Sequence, residues 1–182
     1  MQVEYTPEQL KLIPKLADAN INPDSFLATD YLNHFNEIVM LMEMIPDMPE
    51  LIEDAADWKP KSYPQHFEDS GFQAKGLAIE AYEMAPTVFK APFEQVCDEM
   101  NNLLVSTLSG LMKVNIIERG VSPGAQALIR GRIESVQTML LKLNQIIHGK
   151  FEEEVLPAQE AESIEAPTED VQSQEDIDKL FD

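Results

Sequence analysis

Two apolar stripes of six residues each limit what this chain can become. Phe93, Cys97, Met100, Leu104, Leu108 and Leu111 recur at steps of three and four. Ile129, Ile133, Val136, Leu140, Leu143 and Ile147 follow at steps of 4, 3, 4, 3 and 4. A helix of 3.6 residues per turn brings every third or fourth side chain back to one face, so each stripe predicts a long amphipathic helix. Between them, Gly120-Val-Ser-Pro-Gly124 is turn chemistry, with Ser122 as N-cap and Pro123 at the first helical position. Gly149 ends the second helix. Two helices of about 25 residues, roughly 40 Å each at 1.5 Å per residue, joined by so short a turn must run antiparallel. Such a hairpin needs apolar cover. Either the N-terminal helices supply it, or a second copy does so by completing a four-helix bundle as a homodimer.

The first 90 residues carry helix signals and no strand alternation. Thr6-Pro7-Glu8-Gln9 is a capping box that opens a helix reaching about residue 19, kinked at Pro14. Turn residues occupy 20–25, and Thr29 or Asp30 caps a helix over 31–45 that Pro46 stops. A short helix is expected over 49–58, a loop over 59–64, and two short helices broken at Ser70-Gly71 over 66–84. Trp58 is placed to close this region onto the hairpin. The expected class is all-α: N-terminal helices (1–90), a long hairpin (91–150), a disordered acidic linker (151–172) and a terminal helical peptide (173–182).

Charge narrows the partners. The chain has 33 acidic and 13 basic residues, a formal charge of −20. Residues 151–182 hold twelve acids and one lysine, hence −11, which leaves −9 on the first 150. That balance disfavours nucleic acid and anionic membranes and favours a basic protein surface. One cysteine, Cys97, cannot form an internal disulfide and fits a reducing compartment. The N-terminal residues are acidic with no apolar core, and no apolar run reaches the roughly 18 residues of a membrane helix. A cytoplasmic location is expected.

Residues 173–182 read Ser-Gln-Glu-Asp-Ile-Asp-Lys-Leu-Phe-Asp. Ser173 can cap a short helix, with Glu175 and Asp176 where the dipole favours negative charge. Ile177, Leu180 and Phe181 share one face, which is too little to hold a helix in water and suits folding on a partner. The segment resembles the S-Q-x-x-I-D-x-L-hydrophobic peptide with which flagellar switch proteins of the FliM family capture the chemotaxis response regulator CheY. The CheZ family of CheY phosphatases carries a related helix behind a flexible linker. Ser173, Gln174, Asp176, Ile177, Asp178, Leu180 and Phe181 carry the likeness, which covers about ten residues. The resemblance implies a CheY-like receiver as partner. A 22-residue linker reaches about 25 Å, which would hold the captured partner at millimolar effective concentration.

Phosphatases of this class insert an acid and an amide into the receiver's phosphorylation site. The amide orients water, and any magnesium belongs to the receiver, so no cofactor is expected in this chain. The hairpin lacks the D-x-x-x-Q of the CheZ family. It has Asp98-Glu-Met-Asn-Asn102, which contains D-x-x-x-N and the E-x-x-N of the CheC and CheX families, so Asp98, Glu99 and Asn102 are the candidate catalytic residues. Asp98 and Asn102 lie about 40° apart on a helix and off the apolar stripe. Glu134-x-x-Gln137 offers a second pair beside its own seam. His34 and Glu37 share a face, while His66 and His148 are isolated, and no metal-ligand spacing is present. Met40, Met42, Met44 and Met48 cluster around Pro46, as core packing or as an adaptable partner groove. Three readings stand at this point: a receiver-binding protein, one that is also a phosphatase, and a helical scaffold or chaperone whose acidic tail keeps it in solution.

Overall fold

The computed structural model describes residues 2–150. Among them all regular structure is helical. Helix α1 (Pro7–Leu16) opens on the predicted capping box: Thr6 Oγ1 accepts from Gln9 N at 3.2 Å, and Gln9 Oε1 accepts from Thr6 N at 2.9 Å. A 3₁₀ turn, Ala17–Ala19, ends at left-handed Asn20. In the next loop Asn22 Oδ1 accepts from the amides of Asp24 and Ser25. Phe26 takes a φ of 65°, a conformation costing about 1 kcal/mol or more for a bulky residue. Its fully buried ring, stacked on Tyr5 at 6.0 Å, supplies the offset. Ser25 is buried and donates from Oγ to the Ile147 carbonyl, tying this loop to the far end of the chain.

A 3₁₀ turn, Thr29–Leu32, feeds α2 (Asn33–Met44), and α3 (Leu51–Asp57) follows the Pro46 break. Ser62 caps α4 (Tyr63–Asp69) through Gln65 N, and α5 (Lys75–Glu83) completes the pair expected around Ser70-Gly71. The hairpin then forms from α6 (Thr87–Lys113) and α8 (Pro123–Ile147), with a four-residue helix, α7 (Ile116–Arg119), between them. Ser122 Oγ accepts from Ala125 N as predicted. Gly149 takes φ 70°; its amide donates to Ile146 O and that of Lys150 to Gln145 O, the paired bonds of a Schellman stop.

Thr29 and Asp30, expected as the cap of a helix over 31–45, instead lie inside the 3₁₀ turn with no side-chain cap bond, and α4 begins at Tyr63, within the expected loop over 59–64. The ends of α6 differ from expectation as well. Helix α6 starts at Thr87 and runs through Pro92, where the sequence reading placed its start at 91. The one backbone bond lost to Pro92 is outweighed by burying Phe89 on the added turn. At the other end α6 stops at Lys113, because Asn115 adopts the left-handed conformation that Asn tolerates, with its Nδ2 on Glu118 Oε2 at 3.0 Å. The break lets α7 turn Ile116 into the core.

The six predicted residues of the α6 stripe are all buried, joined by Phe89, Val96 and Thr107. On α8, Ile129, Val136, Leu143 and Ile147 are buried, while Ile133 and Leu140 are half-buried. The end of α8 meets the start of α6, since the Gly149 backbone approaches the Phe89 ring, so the hairpin is antiparallel. Helix α3 covers α6 and α2 covers α8. Residues from α1 through α8 enter one continuous core. No helix among the described residues is long and apolar enough to cross a membrane.

Candidate functional site

The register of α6 sets its chemistry. One position beyond Phe93, Cys97 and Met100 come Glu94, Asp98 and Asn101, rotated by about 100° onto the edge of the buried stripe. Tyr82 from α5 and residues 60–63, ahead of and at the start of α4, stand opposite. Together they enclose a cavity of about 350 Å³ that opens to solvent. Its wall is aromatic: Tyr63 stacks on Tyr82 at 4.5 Å, and Phe93 lies 5.8 Å from Tyr31 and 5.9 Å from Tyr63, centroid to centroid. Carboxylates stand at its rim.

Asp98 lines this cavity, is exposed, and makes no hydrogen bond or ion pair among the described residues. Glu94 accepts a hydrogen bond from the Tyr82 hydroxyl. Asn101 contributes a buried amide oxygen with no partner among the described residues. Lys61 also lines the cavity, but its Nζ pairs with Asp69 at 3.1 Å, and Lys90 lies over the Tyr82 ring at 4.3 Å.

Of the three residues singled out by sequence, Asp98 and Asn102 are exposed one turn apart on α6. Glu99 is exposed too, with Oε1 accepting from Gln95 Nε2 at 3.2 Å. Only Asp98 lines the cavity; its amide neighbour there is Asn101, and Asn102 and Glu99 lie outside. Sequence reasoning passed over Glu94 and Asn101. Their signal was the 4, 3 spacing of 94, 98 and 101, which repeats the step of the apolar stripe one residue on. The pair Glu134 and Gln137 lies on α8 in a separate groove of about 370 Å³ beside Glu43 and Asp47. Residues 173–182 lie outside the described residues.

The electrostatics are those of an acidic rim over an apolar wall. Burial, aided by the charges of Asp98 and Glu94, pushes the Cys97 thiol up to about 12, so it is protonated at neutral pH and a poor nucleophile. Burial raises Tyr31 and Tyr82 as well, and Glu94 adds to the shift at Tyr82. The rim offers negative charge from Glu94 and Asp98 and hydrogen-bond acceptance from the Asn101 amide oxygen.

His34 and His66 are structural. His34 is buried; its Nε2 accepts from Lys61 N at 3.0 Å and its ring stacks on Trp58 at 4.8 Å. Trp58 Nε1 in turn donates to the His34 carbonyl at 3.2 Å. His66 Nε2 meets Asp30 Oδ2 at 3.0 Å. Among the described residues no group of three His, Cys, Asp or Glu side chains could hold a metal ion. No family model matches this chain, and no curated protein or solved structure matches it either.

Proposed function

We propose that this protein captures a CheY-like response regulator through residues 173–182 and presents α6 to the receiver it has caught. The observation that carries the reading is the Ser-Gln-x-x-Ile-Asp-x-Leu-Phe pattern behind an acidic linker. Ile177, Leu180 and Phe181 are the apolar anchors; Ser173 and Gln174 begin the helix; Asp176 and Asp178 meet basic groups of the receiver. The exposure of Asp98 and Asn102 one turn apart supports an elaboration in which the captured receiver loses its phosphoryl group. In that step Asn102 orients the attacking water and Asp98 fixes the receiver's cation, while the receiver holds the magnesium.

The test is a titration of a CheY-type receiver, with and without an acyl-phosphate mimic, against the full chain and a form ending at Gln172. Binding that prefers the activated receiver and disappears on truncation is the expected result. Equal or absent binding in both forms discards the reading and returns the protein to the scaffold class. Phosphate release then separates capture from catalysis: acceleration by the full chain, reduced in Asn102→Ala, is expected of a phosphatase. No acceleration leaves a binding protein.

A further inference from the structure

The methionine cluster takes no part in the candidate site. Met42 is buried in the core, whereas Met40, Met44 and Met48 are 63%, 42% and 37% exposed. On the neighbouring helix Leu141 is 67% exposed. Single exposed apolar residues need no explanation, but these four belong to two packed helices, α2 with its following turn and α8. Between those helices runs the groove holding Glu43 and Asp47 on one bank and Glu134 and Gln137 on the other, with Ile129 and Ile133 along α8. Gln137 Nε2 and Glu43 Oε1 approach to 3.5 Å across it. Met40 and Met44, four residues apart, share the outer face of α2, and Leu141 lies one helical turn beyond Gln137 on α8, so an exposed apolar face lies beside the acidic groove.

The charge of this face selects its occupant. Between Lys15 and Lys59 the chain has ten acidic residues and neither Lys nor Arg. The groove lining adds one cation, Arg130, against Glu43, Asp47 and Glu134. None of these three carboxylates has an ion-pair partner among the described residues. The chain's own terminal peptide brings Glu175, Asp176, Asp178 and Asp182, so seating it here would set like charge against like. A second copy applied through the same face would do the same. An apolar strip of unbranched, polarizable thioethers beside an acidic rim matches one chemistry: a helix with an apolar face and lysine or arginine along its flanks.

We infer that the α2–α8 face is a docking groove for a basic amphipathic helix of a partner polypeptide, with Met40, Met44 and Leu141 receiving its apolar side and Glu43, Asp47 and Glu134 its cations. This proposal does not rest on the receiver-binding reading. The groove gives the chain a second acidic attachment for a basic partner, in addition to the acidic sequence of residues 173–182.

The probe is a synthetic leucine–lysine amphipathic peptide titrated into the full chain by calorimetry. A lysine–serine peptide of equal charge is the control, because the acidic tail attracts any cation. The expected result is saturable binding of the leucine–lysine peptide, about tenfold or more tighter than the control. It should weaken about tenfold in Met40→Ser/Met44→Ser and again in Glu43→Lys/Glu134→Lys. All four positions are exposed, so these variants keep the core intact. Equal affinity for the two peptides would overturn the groove and assign the binding to net charge. Unchanged affinity in both variants would place the site elsewhere and overturn it as well.

Discussion

His34 makes the stability of the fold sensitive to mild acid, with a magnitude that follows from its surroundings. The ring is 5% exposed, stacked on Trp58, and uses Nε2 to accept the Lys61 amide. An imidazolium has no lone pair to offer that amide, and it would face His66 at 6.2 Å and the charge of Lys61. Burial first, then those two groups, lowers its pKa from 6.5 to about 4. The folded protein therefore keeps His34 neutral where the unfolded chain binds a proton. Stability from this group is complete above pH 6.5 and is lost as pH falls toward 4, at about 1.4 kcal/mol per unit, or about 3 kcal/mol across the window. Urea unfolding of the wild type and His34→Gln from neutral pH down to about pH 4 isolates the effect, because the two proteins differ at this one side chain. Gln retains an acceptor but binds no proton. The wild type should lose about 3 kcal/mol more than the variant over that range. Parallel pH dependences in the two proteins would refute the reasoning.

Three further outcomes are expected. Ser25→Ala removes the hydroxyl that joins the 20–28 loop to the Ile147 carbonyl and should cost about 1–3 kcal/mol, read from the urea midpoint. Met100→Ala empties a fully buried position at the centre of α6 and should cost about 2–5 kcal/mol with an unchanged denaturant slope. Ile177→Ala or Phe181→Ala should weaken receiver capture by about 2 kcal/mol in a binding titration and leave thermal unfolding unchanged; full affinity in both variants would mean the tail had been misread.

The parts of the fold written as periodic patterns were legible. The α6 stripe is buried at all six predicted positions because a helix of that length can hide its apolar face in only one rotation. Caps at Thr6 and Ser122 and the stop at Gly149 follow from local donor and acceptor chemistry, which tertiary structure has little reason to override, whereas Ser62, expected in a loop, caps α4. The misplaced ends of α6 have the opposite character. Pro92 and Asn115 are each compatible with two local outcomes, and burial of Phe89 and Ile116 decides between them. The cavity was out of reach for a related reason: Tyr82 and residues 60–63 come to α6 only through tertiary packing. Asp98 could be found from its motif. Asn101 differs from Asn102 in sequence only by the 94, 98, 101 spacing, which gains a meaning once the far wall is in place.

Charge gives the two proposed attachments a common logic. The terminal segment carries −11 from residue 151 onward, and the stretch from 16 to 58 carries ten acids without a lysine or arginine. Screening limits this repulsion to about 8 Å at physiological salt, so it acts at contact distance, where the terminal peptide would otherwise settle on exposed methionines. Apolar anchors at Ile177, Leu180 and Phe181 would suit Met40, Met44 and Leu141 if hydrophobicity alone governed. Like charge on both sides disfavours that closure and leaves each apolar surface to a basic partner. The same physics predicts opposite responses to salt. Capture by the tail and docking in the groove should both weaken as salt rises, since each joins an acidic element to a basic one. Contact between the tail and the groove should gain, because screening weakens the repulsion that opposes it. A salt titration of the full chain, followed by the accessibility of Met40 and Met44 to oxidation, reads that balance: added protection at high salt is expected, and protection that is greatest at low salt would show that charge does not keep the two apart.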